Sequence, residues 1–174
     1  RKEHRRTLNG HRQVNNLKLA TRRRACMKLN IYVIGASQTR TDSLDGSTRI
    51  FIECAKRWIR RGHQICVLTC EEGYEIFQKY GLTDVDYVVI RSSAYKRLGI
   101  FVLYLIRTIK LCALLTKLRP KGRNIVVYSG SDFLPDSIPT YIFNIRFQAS
   151  RWVAGFYLFA PRPFDKNSPY KGKK

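Results

Sequence analysis

Leu29-Asn30-Ile31-Tyr32-Val33-Ile34-Gly35 is the stretch whose reading decides the fold. It is short, almost continuously apolar and rich in β-branched residues, which marks a strand buried on both faces and not one face of a helix. Residues 36–47 then turn polar, with Ser, Thr, Asp and Gly prominent. Thr48 is a plausible cap for the helix that follows, where Ile50, Phe51, Cys54, Ala55, Trp58 and Ile59 recur at helical spacing opposite Arg57, Arg60 and Arg61. Gly62 ends that helix and Gln64 to Cys70 forms a second strand.

The pattern repeats outward. A short helix runs from Glu72 to Tyr80 and stops at Gly81, and Val85 to Arg91 is a third strand. Leu98 to Leu118 reads as one long helix, apolar almost all round in its first half, that cannot pass Pro120. Asn124 to Ser129 is a fourth strand, residues 135–150 a further helix and Trp152 to Phe159 a fifth strand. Strands alternating with helices in this way predict an α/β, Rossmann-like, doubly wound and mainly parallel sheet. In that architecture ligands sit beyond the carboxyl ends of the strands, so function belongs to the loops 36–49, 70–74 and 129–139.

Composition sets the partners. Of 174 residues, Lys and Arg number 33 against 12 acids, a net charge of +21, while the 44% apolar content is that of a folded chain. Residues 1–26 hold nine Lys/Arg and one acid, and read as a basic, solvated arm. The first residue is Arg1 and the one methionine is Met27, so the arm is expected to precede the true start of the domain 27–174. The remainder is also basic, which calls for an anionic partner: a phosphate, a nucleic acid or an acidic membrane surface. Five cysteines without a C-x-x-C pair read as reduced thiols in the cytoplasm. No run approaches the length of a membrane span, so the expected location is cytoplasmic, free or peripheral at the inner face of the membrane.

The first loop leads from a strand end into a helix start, where free N–H groups and the helix dipole favour an anion, although it is neither a P-loop nor a dinucleotide fingerprint. The loop 129–136 collects small polar residues with Asp132 and Asp136, which either accept hydrogen bonds from sugar hydroxyls or cap the next helix. His63 lies at the wrong edge of the sheet for catalysis and reads as structural. Tyr95 to Arg119 mixes aromatic, aliphatic and basic residues, a composition that suits a lipid headgroup interface but that any crossover helix with a basic outer edge also shows.

Several segments in order carry a resemblance. They are the strand Leu29–Gly35 with the loop ending Asp45-Gly46-Ser47-Thr48-Arg49, the phrase from Ala55 through Trp58-Ile59-Arg60-Arg61-Gly62-His63 to Thr69, and the later segments Ser131–Pro139 and Trp152–Phe164. Together they resemble the amino-terminal half of a family 4 glycosyltransferase of the retaining GT-B type. The resemblance implies two Rossmann-like domains facing across a cleft, the amino-terminal one binding the acceptor. It implies contacts from Gly46, Ser47 and Arg49 to the donor phosphates or sugar, and from Ser131, Asp132 and Asp136 to the acceptor or sugar. No metal and no cofactor is implied, the nucleotide sugar being a substrate, and no residue of this half is assigned as catalytic. The donor-binding domain with its paired glutamates is not in these residues, so the chain is read as an incomplete enzyme, nearly inactive alone. The implied partners are a nucleotide sugar held with that second domain and a glycan or lipid-linked acceptor. The rival is a basic nucleic-acid-binding or membrane-surface domain without catalysis, and nucleic acid is the less expected partner because the aromatic residues fall in core elements.

Overall fold

A computed structural model describes residues 27–122 and 124–155, so the basic arm 1–26, the end of the expected fifth strand and the Pro- and Lys-rich tail lie outside the described residues. The run quoted first becomes β1 (Asn30–Gly35), the middle strand of five. Its neighbours are β2 (Gln64–Cys70) and β4 (Ile125–Ser129), with β3 (Asp86–Ile90) and β5 (Arg151–Ala154) at the edges. The order is β3-β2-β1-β4-β5 and every pairing is parallel, so the sheet is an all-parallel Rossmann-like one. Val33 lies level with Val67 on one side and Tyr128 on the other.

Alternation along each strand divides the core in two. Ile31, Val33, Ile65 and Val67 meet Phe51, Ile52 and Ala55 of α1 (Gly46–Arg60) and Ile76 and Phe77 of α2 (Glu71–Lys79). Tyr32, Ile34, Leu68 and Cys70 on the opposite face meet Leu111 and Leu115 of α3 (Ile100–Lys117) and Phe143 of α4 (Leu134–Arg146). Burying each such aliphatic or aromatic side chain contributes roughly 1.5–3 kcal/mol, which is why the central strand can be apolar on both sides.

Three boundaries differ from the sequence reading. The cap of α1 is Asp45, not Thr48: its Oδ1 accepts from the Thr48 N–H at 2.6 Å and its Oδ2 from the Thr48 hydroxyl at 3.0 Å, so the helix starts three residues earlier. The single long helix expected over Leu98–Leu118 is α3, unbroken but starting two residues later at Ile100, because a 3-10 turn over Ser93–Leu98 ends at Gly99, whose φ of 88° is a value that favours glycine and separates the two helical ladders. The last helix ends at Arg146, four residues short of the expected 150.

At the opposite edge of the sheet, His63 Nδ1 accepts from the Leu29 N–H at 3.4 Å, the structural role expected for it. No helix among the described residues is long and apolar enough to cross a membrane.

Candidate functional site

β1 and β4 are neighbours whose chains leave in opposite directions, one to α1 and one to α4, and this switch point opens a crevice at the carboxyl edge of the sheet. The strands end close together: the Gly130 N–H donates to Ile34 O at 2.8 Å, and a Cβ on Gly130 would come within 3.3 Å of Gly35 Cα. Glycine at 130 therefore lets the two loops share one floor.

The first loop is held by its carbonyls. Gly35 O accepts from the Thr69 hydroxyl at 2.6 Å, Ala36 O from the Arg107 guanidinium at 2.9 Å, Ser37 O from the Tyr104 hydroxyl at 2.8 Å and Gln38 O from Arg107 at 2.6 Å. Four consecutive acceptors are thus committed to the protein. The cleft in front, about 310 Å³, is lined mainly by hydroxyl, amide and guanidinium side chains: Ser37, Gln38, Thr39, Arg40, Ser43 and Ser47. Asp45 adds a carboxylate, while Ile76, Tyr104 and Phe133 make the apolar wall. Behind the loop, Gly73 is a steric requirement, since a Cβ there would fall 2.1 Å from Thr69 Oγ1 and 3.0 Å from Gln38 Oε1.

Arg107 is the anchor of this arrangement and is fully buried. Its Nε donates to the Ser92 hydroxyl at 2.9 Å and it pairs with Glu72 Oε2 at 2.6 Å. Lys96 Nζ stands 2.6 Å from the other Glu72 oxygen. Burial works to raise the Glu72 carboxyl, but the bonds from Lys96, its own backbone and Arg107 prevail and hold it below the usual range. The signal that could have found Arg107 was present, since it interrupts the apolar α3 at a position that faces the sheet, but the sequence gives it no visible partner.

Asp136 joins the two loops. Its Oδ1 accepts from the Ala36 N–H at 2.6 Å, and its Oδ2 from the Ser37 hydroxyl at 3.0 Å and the Ser131 hydroxyl at 2.5 Å. The side chain is fully buried, and burial pushes its pKa up to about 6 against the hydrogen bonds that favour the anion. With its oxygens engaged inside the protein, Asp136 shapes the crevice from beneath, whereas Ser131, largely buried, also lines the cleft over β4 and β5.

The other residues named from sequence separate. Gly46 opens α1 at the exposed rim, where a Cβ would meet nothing within 4 Å. Ser47 lines the cleft, although its hydroxyl donates to Asp45 Oδ1 at 2.6 Å. Arg49 turns elsewhere, into a depression of about 480 Å³ with Leu44, Ile52, Glu53, Lys56 and Tyr80. Asp132 is exposed beside a second cleft of about 400 Å³ over β4 and β5, with Ser129, Ser137 and Trp152 among its walls. Two adjacent concavities thus flank the Asp136 node, one polar over β1 and one with Trp152 over β5.

Cys70 and Cys66 are passive, their thiols pushed up by burial to about 12 and about 11, so neither is an activated nucleophile. Among the described residues no group of three His, Cys, Asp or Glu side chains is placed to hold a metal ion. Neither the protein-family models, nor the curated proteins, nor the solved structures contain a match to this chain.

Proposed function

We propose that this chain is the acceptor-side domain of a glycosyltransferase that moves a sugar from a nucleotide donor to a hydroxyl acceptor. The observation that carries the reading is the pinned first loop. With the carbonyls of residues 35–38 committed to the protein, the cleft at the switch point presents polar side chains, the Arg40 guanidinium and the Thr39 and Ser43 hydroxyls among them, which suits a ligand rich in oxygen such as a phosphate or a sugar. The exposed carboxylate of Asp132 at the second concavity supplies an acceptor for sugar hydroxyls, whereas that of Asp45 is engaged in capping α1. The order of segments resembling a family 4 glycosyltransferase supports the same reading.

The described residues bind and orient, because Asp136 is enclosed and the buried thiols stay protonated. Rate enhancement then comes from holding donor and acceptor together, the largest contribution available to a site without a nucleophile. The test is product formation from a panel of nucleotide sugars with glycan and polyprenyl-phosphate acceptors, read by mass spectrometry on the protein as its cell makes it. Transfer that falls about tenfold or more in Arg40→Ala, at an unchanged unfolding midpoint, is the expected result. Absence of transfer together with tight oligonucleotide binding would replace this reading with the nucleic-acid one.

A further inference from the structure

The outer surface of the α3/α4 layer is apolar where a solvated layer would be charged. On α3, Phe101, Leu105 and Ile109 recur every fourth residue, opposite the sheet-facing Leu103, Arg107 and Leu111, and all three are exposed, Phe101 by 86%. On the adjacent α4, Leu134, Ile138, Tyr141 and Ile145 form a second exposed stripe at the same helical spacing. Single exposed apolar residues are ordinary, but two neighbouring stripes of large side chains mark a surface that is covered in use.

Charge decides what covers it. From Arg91 to Gly122 the chain contains no Asp or Glu, and α4 has only the enclosed Asp136. Exposed Arg97 stands just before α3, Lys117 and Arg119 at its far end, and Arg146 at the end of α4. Two copies meeting through this face would oppose like charges, whereas an apolar stripe between basic ends fits a surface with an apolar interior and anionic headgroups.

We infer that the α3/α4 face docks onto an anionic lipid bilayer, lying in its interface without crossing it. Tyr141, with Trp152 beside it at 6.2 Å between ring centroids, adds a pair of the aromatic rings that favour headgroup depth. The inference does not rest on sugar transfer, and its test reads binding alone.

The experiment is sedimentation of the full chain with phosphatidylcholine vesicles, with and without about 30% phosphatidylglycerol, in low and in about 0.5 M salt. The full chain is expected to sediment with the anionic vesicles and to stay bound in the higher salt. The double variant Phe101→Ser, Leu105→Ser should lose about tenfold in partition, its remaining binding being removed by salt, at an unchanged urea midpoint. Three outcomes overturn the proposal: no sedimentation of the full chain, binding indifferent to the double variant as from the basic arm alone, or a dimer in sedimentation velocity that the double variant abolishes.

Discussion

On one side of the sheet, α1 buries Phe51, Ile52 and Ala55 and turns Arg57 and Arg60 to solvent; on the other, α3 buries Arg107 and turns Phe101, Leu105 and Ile109 outward. Both helices cover the same central strand. The first follows the ordinary rule, with an apolar stripe inward and charge outward. The second places its charge where a loop needs an anchor and its apolar surface where a partner can take it. The difference teaches that the α3/α4 layer carries duties beyond closing the core, and that they concentrate in one helix.

The sharpest way to break that contrast is to exchange the arginines. Arg107→Met should cost about 3–5 kcal/mol in urea unfolding, because it leaves Oε2 of the buried Glu72 without its partner, with Lys96 on Oε1 alone, and frees Ala36 O and Gln38 O. Arg57→Met, on the exposed face of α1, should stay within about 0.5 kcal/mol. A neutral Arg107→Met would mean that the loop is held by Thr69 and Tyr104 alone.

Asp136 supplies the next largest effect. Its folded pKa of about 6 lies above an ordinary 3.8, so between those values the native state keeps a proton that the unfolded chain gives up. The stabilisation is complete below about pH 4 and is lost as pH rises through 6, in total about 3 kcal/mol. Asp136→Asn should flatten this part of the stability profile, measured by urea midpoints from pH 4 to 7.

How much of this was legible follows the kind of information each element needs. β1 could be read because seven consecutive residues carry the whole signal, and the parallel succession because each strand and helix announces itself locally. The cap was misplaced by three residues because Asp45, Ser47 and Thr48 are all competent caps, and only the φ and ψ of the chain select Asp45. Asp136 was seen as a polar residue at a strand end, but its bonds reach Ala36 and Ser37, about a hundred residues away, and no local pattern encodes them. A separation of about 70 residues likewise hid the Arg107 bonds to the first loop.

Smaller effects sharpen the picture of the rim. Asp45→Ala should cost about 1 kcal/mol, seen as a lowered thermal midpoint, since it removes the acceptor for the Thr48 N–H. Gly46→Asp should leave that midpoint unchanged within about 0.5 kcal/mol, as its Cβ meets open space and a carboxylate at the first helical position suits the dipole, while still crowding any ligand bound at the rim. Equal sugar-nucleotide transfer by the Gly46→Asp variant would remove this residue from the site.

The strand order also governs the sequence of events during synthesis. β1 pairs with β2 at once, but its other edge must wait for β4, about 95 residues later, and α3 emerges only shortly before it. Until then the growing chain holds a three-stranded sheet covered by α1 and α2 on one face, with Tyr32, Ile34 and Leu68 bare on the other. Late, long-range parallel pairing is slow and leaves such surfaces open to association, so the nascent protein is expected to need shielding at that stage more than at any other.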